Sequence, residues 1–378
     1  MKYLSSLKTK NLSGKICLLR ADFNIENTEL FGKNIHPRIA AVLPAINFLI
    51  KKGVKIIILS HRGRPDLKTY NLKLKTYTLK PFATILSKLL KKPVKFIDFS
   101  NINNLSKSDF DRLGSDVFLL ENLRFNPGED KNDKKFAQKL ALLGDFYVNE
   151  AFAFCHRPTA SIVGIPKLLP SYAGFSLENE IKNLSKVMKK PKKPLVVILG
   201  GIKVMDKVGL IKNFWDKANK FLIGGGIANT FLAAAGEQVG KSIYEKEKLA
   251  FCKKLLKSPK IILPIDSIVK NSSIFDIGIK TRRNYTKEIK KAKIIIWNGP
   301  MGLIENKAFR KGSEAVLKSI LKSKAFSVIG GGETTALISN FQFPISKNIF
   351  ISTGGGAMLE FLAGKKLLGI KVLNKKLR

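Results

Sequence analysis

Short runs of Val, Ile, Leu and Phe recur along the whole chain, separated by longer stretches whose apolar residues repeat with helical period. This alternation confines the chain to an α/β fold built on parallel sheets, because strands buried on both faces read as continuous apolar runs and each needs a crossover to reach its parallel neighbour. In the first half the runs fall at residues 16–24, 54–61, 94–99, 117–122 and 146–149. In the second half they fall at 195–200, 220–224, 261–266, 294–298, 326–330 and 349–353. A chain of 378 residues is long for one core, so two sheets in two domains are expected. The division lies where a helical stretch, 175–188, runs into KKPKKP at 189–194, whose prolines end the helix and whose charge keeps the segment solvated. That basic run reads as an interdomain linker rather than a nucleic-acid patch. No repeat at solenoid spacing is present.

No apolar run approaches bilayer length, and the N-terminal MKYLSSLKTK has no apolar signal core, so a cytoplasmic location without membrane partners is expected. Cys17, Cys155 and Cys252 stand far apart, with only His36, His61 and His156 to join them, which argues against a zinc site or a disulfide frame. The formal net charge of +40 raises the question of a nucleic-acid partner. Of the 68 basic residues only 11 are Arg, however, and the 57 Lys are spread along the whole chain, so the field is not focused on one surface. The arginines are more informative: seven (Arg20, Arg38, Arg62, Arg64, Arg112, Arg124, Arg157) precede residue 160. A fork-shaped donor gathered in one half points to a small anion held there.

In open parallel sheets ligands collect beyond the carboxyl ends of the strands. After the first-half runs come ADFN (Asp22, Asn24), SHRGRP (His61, Arg62, Arg64), ENLRF (Arg124) and CHR (His156, Arg157), groups suited to a carboxylate or phosphate. After the second-half runs come LGGIK, IGGGIA, WNGPMG, IGGGE and STGGGA. Four of these put paired or triple glycines before a helical stretch, where the backbone can approach a phosphate and the helix start offers free N–H groups. One such turn is weak evidence, since glycine there often serves packing alone; recurrence at successive strand ends marks a nucleotide domain. AGEQVGKS at 235–242 imitates a P-loop but lacks its first glycine and follows a helical stretch, and neither a kinase GxGxxG loop nor an HRD loop is present.

In order, RADFN, SHRGRP, LLENLRFNPGE, NEAFAFCHR, GGIKVMDK, GGGIANTFL, WNGPMGLIE, GGGET and STGGGAMLEFLAGK resemble the phosphoglycerate kinase family over nearly the whole chain. The resemblance implies an α/β fold of two Rossmann-like domains, each a parallel sheet with helices on both faces, separated by a cleft with a hinge. Their bounds are expected at 1–172 for 3-phosphoglycerate and 194–364 for the nucleotide, with 173–193 as interdomain helix and linker and 365–378 returning to the first domain. It implies reversible phosphoryl transfer between 1,3-bisphosphoglycerate and ADP, giving 3-phosphoglycerate and ATP, with Mg2+ as cofactor, and a monomer.

Carried over at matching positions, Asp22, Asn24, Arg38, His61, Arg64, Arg124 and Arg157 would hold the phosphoglycerate. Lys203 and Lys207 would meet the moving phosphoryl group and the nucleotide phosphates, with Arg38 opposite, Gly201 and Gly225 beside the nucleotide, Asn298 on its phosphate side and Glu305 at the ribose. Gly332, Glu333 and Thr334 match the helix start that receives phosphates and metal, and Gly354, Gly355 and Gly356 the glycines near hinge and transfer site. Glu333 replaces the family's metal-linked Asp, and Glu26, Glu150, Ala153 and Thr159 also depart from its pattern close to segments expected to bind substrate. Arg62, where the family has an apolar residue, is expected to be solvated; Asp206, Cys155 and His156 are expected to be structural, and Arg20 is left open. Two other readings compete: a polyanion or nucleic-acid binder that keeps the fold with weak or no kinase activity, and a kinase for a different small carboxylate.

Overall fold

The computed structural model describes residues 1–26, 30, 35–65, 76–98, 105–339 and 346–374. It comprises two compact units, Met1–Ile181 with Lys366–Arg378, and Lys182–Lys365.

In the first unit, β1 (Ile16–Arg20), β2 (Lys55–Leu59), β3 (Val94–Ile97), β4 (Val117–Leu120), β5 (Phe146–Asn149) and β6 (Ser171–Ala173) form one parallel sheet in the order β3-β4-β2-β1-β5-β6. Between the strands run α1 (Pro37–Lys51), α2 (Lys80–Leu90) and α3 (Lys134–Ala141). Along β1 and β2, Cys17, Leu19, Ile56 and Ile58 pack with Ile39, Val42 and Ile46 of α1 and Phe82 and Leu86 of α2. The alternate residues Leu18, Ile57, Phe118 and Tyr147 are equally buried. Side chains alternate across a strand, so both faces of this sheet are covered, which is why the strands read as unbroken apolar runs. Each large aliphatic side chain so buried stabilises the unit by roughly 1.5–3 kcal/mol. The order reverses between β1 and β5, so the exits of β1, β2 and β5 meet at a topological switch point.

Helix α4 (Phe175–Met188) crosses the boundary between the units. In the second unit, β7 (Leu195–Leu199), α5 (Val208–Phe214), β8 (Lys220–Ile223), α6 (Gly225–Ala234), α7 (Leu249–Leu256) and β9 (Ile261–Ile262) build one half. A hairpin of β10 (Ser267–Lys270) and β11 (Ser273–Ile277) follows, then α8 (Ile279–Lys291), β12 (Ile294–Asn298), α9 (Lys311–Leu321), β13 (Phe326–Gly330), α10 (Gly332–Ser339), β14 (Ile349–Ile351) and α11 (Gly356–Leu362). The sheet order β14-β13-β12-β7-β8-β9 is that of a doubly wound dinucleotide fold, with its switch point between β7 and β12. After α11 the chain returns to the first unit as α12 (Leu368–Leu373), where Gly369 N–H donates to the Cys155 carbonyl at 2.8 Å. A methyl group on Gly369 would lie 2.9 Å from Cys155 Sγ, so the docking needs glycine there. Among the described residues no helix is long and apolar enough to cross a membrane.

The strands differ from the sequence reading at a few points. The run 94–99 pairs only to Ile97, and Phe99 lies outside the described residues. The run 261–266 pairs only at Ile261 and Ile262, since Pro264 has no N–H to give a ladder. The three-residue edge strand β6 and the β10–β11 hairpin were not expected. The hairpin turns on Asn271 and Ser272, both at positive φ (51° and 60°), without the Asn-Gly signature that marks such turns.

Candidate functional site

In the first unit hydrogen bonds tie the strand exits to one another. Past β1, Phe23 N–H donates to Ser60 Oγ at 2.9 Å, and Ser60 Oγ donates to the Ala21 carbonyl at 2.8 Å, locking the exits of β1 and β2. Asn24 Oδ1 accepts from Gly63 N–H at 2.8 Å. Past β4, Asn122 accepts from Arg62 N–H at 3.2 Å and from Arg124 N–H at 3.1 Å, and its amide donates to the Arg62 carbonyl at 2.7 Å. Asp22, half-buried, faces Arg38 from the first turn of α1, with Asp22 Oδ2 at 3.4 Å; Arg38 also donates to the Asn24 carbonyl at 2.5 Å.

Arg124 donates to the Gly63 carbonyl at 2.6 Å and to Asp130 at 3.2 Å. Arg64 and Arg157 are exposed on the same loops. His61 is fully buried. Arg20 Nη2 lies 2.9 Å from its Nδ1; a guanidinium can only donate, so Nδ1 is the acceptor and the proton sits on Nε2. Burial, then the charges of Arg20, Arg124 and Arg38, hold the His61 pKa well below the ordinary range, and the ring is neutral. The structure therefore brings Asp22, Asn24, Arg38, His61 and Arg124 together at the switch point, with the charge of Arg64 felt at Arg124 and Arg157 exposed on the loop after β5.

Arg62, expected to be solvated, is instead 3% exposed: Nε donates to the Ile25 carbonyl at 2.8 Å and the guanidinium lies over the Phe82 ring. It fastens the loop after β1 to α2, and burial lowers its pKa. Arg20 is also fully buried, donating to Ser161 Oγ at 2.8 Å, and Ser161 donates in turn to Glu129 at 2.5 Å. Glu150 points away from the ligand groups, accepting from Phe175 and Ser176 N–H at 2.7 Å each, at the start of α4. Thr159 is buried. Residue patterns left Arg20 open and gave no sign of Phe154, whose importance lies in contacts.

In the second unit glycines floor the switch point. A methyl group on Gly200 would fall 2.0 Å from the Pro300 carbonyl oxygen, on Gly225 2.5 Å from the same atom, and on Gly299 2.2 Å from the Gly200 oxygen. These three let the exits of β7, β8 and β12 pack backbone to backbone. Gly332 and Gly355 differ, because a methyl group on either meets nothing within 4 Å. Gly355 keeps a conformational reason, at φ 51°. Gly332 has neither reason and opens α10.

Lys207, 8% exposed, donates from Nζ to Asn298 Oδ1 at the end of β12, and Asn298 donates to the Gly330 carbonyl at 2.9 Å. Thr334 is buried, its Oγ1 accepting from Gly299 N–H at 3.0 Å. Burial lowers the pKa of Lys207, against the opposing pull of Asp206 and Glu333. Two cavities adjoin. One, about 350 Å³, is walled by Gly225, Gly226, Phe275, Ile277 and Leu303 with Glu305 at its edge. The other, about 1030 Å³, is walled by Lys203, Lys207, Asn298, Gly332, Thr334 and Gly355. Gly201, Ile202, Pro300 and Glu333 belong to both walls. The larger cavity is also lined by Asp206, Glu360 and Lys365, so its charge is mixed; an apolar slot opening onto a chamber of lysines, glycine backbone and a carboxylate at a helix start fits a base and its metal-bound phosphates.

Among the described residues no group of three or more His, Cys, Asp or Glu side chains is placed to hold a metal. Glu333 is a single exposed carboxylate at the start of α10. That suits a cation such as Mg2+, which takes one or two protein carboxylates and completes its shell with phosphate oxygens and water.

The family model described as phosphoglycerate kinase matches residues 7–365. A phosphoglycerate kinase of Herpetosiphon aurantiacus is 40% identical over 388 residues, covering 96% of this chain and 97% of its own. One from Borrelia garinii subsp. bavariensis is 41% identical over 400 residues, covering 98% and 100%. Among solved structures, phosphoglycerate kinase from Coxiella burnetii superposes with a TM-score of 0.81 at 35% identity, covering 97% of this chain and 98% of its own. That from Pyrococcus horikoshii gives 0.84 at 32%, covering 99% and 98%.

Proposed function

The chain belongs to the phosphoglycerate kinase family and is a phosphotransferase acting between 1,3-bisphosphoglycerate and ADP, and on that premise we propose how its two switch points divide the work. The first unit holds the phosphoglycerate through Arg38, Arg64, Arg124 and Arg157, with Asp22, Asn24 and His61 shaping the pocket. The second unit holds the nucleotide: base in the slot, ribose at Glu305, phosphates over Gly201, Gly332 and Thr334. The observation that carries this reading is the Lys207–Asn298 pair, a buried cation fixed on the wall of the larger cavity at the point where the sheet order reverses.

In the ADP-forming direction a carboxylate attacks ATP, and in reverse a nucleotide phosphate oxygen attacks an acyl phosphate. Both nucleophiles are ionised at neutral pH, so no side chain has to remove a proton. What the protein supplies is alignment of anions that repel each other and charge for the oxygens of the moving group. Lys207 is held for this by Asn298, Lys203 reaches from the adjacent turn, and Gly332 and Gly355 leave room for phosphate oxygens beside backbone N–H groups. Glu333 would hold Mg2+ together with the nucleotide phosphates, and the bound cation would neutralise part of their charge.

A coupled assay of ADP formation dependent on 3-phosphoglycerate tests the reading. Lys207→Ala is expected to lower kcat by at least about a hundredfold, the size typical of a lost charge-stabilising donor, with the thermal midpoint little changed. Unchanged turnover would remove Lys207 from the mechanism, and activity only with a different carboxylic acid would replace the substrate.

A further inference from the structure

The anion pocket of the first unit contains an aromatic ring that no residue pattern singled out. Phe154, in the one-turn helix Phe152–Phe154 after β5, lies 3.7 Å from the His61 ring centroid to centroid. The guanidinium carbons of Arg20 and Arg124 each lie 5.4 Å from the centre of the same ring. Its other edge packs on Ala151, Ile162, Val163 and, from α12, Val372, so the ring is anchored by the folded unit.

The surrounding charge makes this arrangement informative. Arg20, Arg38, Arg64 and Arg124 crowd one pocket around a neutral histidine, and Arg124 is destabilised as a cation by burial and by Arg20 and Arg64. Asp22 and Asp130 offset Arg38 and Arg124, and Glu129 reaches Arg20 only through Ser161. A further carboxylate would relieve the crowding but would occupy the N–H groups that an incoming anion needs. The face of an aromatic ring carries partial negative charge and attracts a guanidinium through its plane without occupying an N–H donor, so the donors of Arg124 not already given to Gly63 and Asp130 stay open to an anion.

We propose that Phe154 is a positioning residue for the acidic substrate: its ring face holds Arg124 and His61 in place as a counter-charge that does not compete with the anion. The proposal rests on the reading of this pocket as the phosphoglycerate site. Phe154→Leu keeps apolar bulk and removes the ring; Phe154→Tyr keeps the ring. Steady-state kinetics are expected to show the KM for 3-phosphoglycerate raised about tenfold in Phe154→Leu, the KM for ATP within about twofold of the parent, and Phe154→Tyr close to the parent in both. Inorganic sulfate, titrated against thermal unfolding of the same proteins, reads the pocket without the reaction and is expected to stabilise the parent and Phe154→Tyr more than Phe154→Leu. If Leu and Tyr behave alike, or if sulfate stabilises parent and Phe154→Leu equally, the inference is overturned. A parent that responds to sulfate but not to 3-phosphoglycerate overturns the substrate assignment instead.

Discussion

At the scale of single residues, Gly332 separates two uses of glycine that look the same in a sequence. Gly200, Gly225 and Gly299 are small because neighbouring backbone sits where a side chain would be. Gly332 adopts no left-handed backbone, and a methyl group on it would meet nothing within 4 Å, yet it stands at the N-terminus of α10 on the wall of the larger cavity. On the proposed nucleotide assignment, its smallness lets a phosphate oxygen approach the start of α10. Gly332→Ala is expected to leave the thermal midpoint within a degree or two, since alanine favours the helix by up to about 1 kcal/mol, while lowering kcat/KM for ATP by about tenfold or more. Full activity in a stably folded Gly332→Ala protein would show that no phosphate approaches there. Candidate residues at strand exits were legible because chemistry at those positions stands out against apolar runs. The burial of Arg62 and the stacking of Phe154 were not, because both are properties of contacts between segments distant in sequence: Arg62 lies on Phe82 of α2, and Phe154 on His61 and Arg124.

At the scale of elements, a strand exit also fastens the helix that crosses the boundary between the units. Glu150, just past β5, caps the start of α4 by accepting from Phe175 and Ser176 N–H, and Gly174 leaves it room: a methyl group there would lie 2.0 Å from Glu150 Oε1. Burial raises the Glu150 pKa to about 8, outweighing the N–H donors that favour its ionised form. Its unfolded value is near 4.3, so between these pH values the folded state keeps a proton that the unfolded state releases, and stability falls as pH rises toward 8. Glu150→Gln removes the titration but keeps only one of the two accepting oxygens, a loss that lowers stability by an amount independent of pH and so leaves the shape of the pH profile readable. The parent's stability relative to this variant should decline by a few kcal/mol between about pH 4.5 and 8 and then level off, read as the difference in urea midpoints. Parallel pH profiles would contradict it. The central strands were legible for the same reason that they are stable, burial on both faces. β6 and the hairpin were not: β10 has no buried residue, so its pattern lacks the apolar contrast that marks a strand.

At the scale of the whole molecule, each unit has its own buried core and its own switch point, and the two switch points carry opposite kinds of group. Arginine side chains dominate the first and glycine backbone with lysine the second. The +40 charge does not follow this division, since lysine is spread along the chain whereas arginine is gathered before residue 160. Affinity for acid and affinity for nucleotide are therefore expected to be separable by substitution. The most direct measurement is calorimetric titration of 3-phosphoglycerate and of ATP, each alone, into the parent, Arg38→Ala and Lys207→Ala proteins. Arg38→Ala should weaken the acid by about tenfold or more and leave ATP unchanged, and Lys207→Ala should do the reverse; if both ligands respond to the same substitution, or each to the opposite one, the assignment of the two units is wrong.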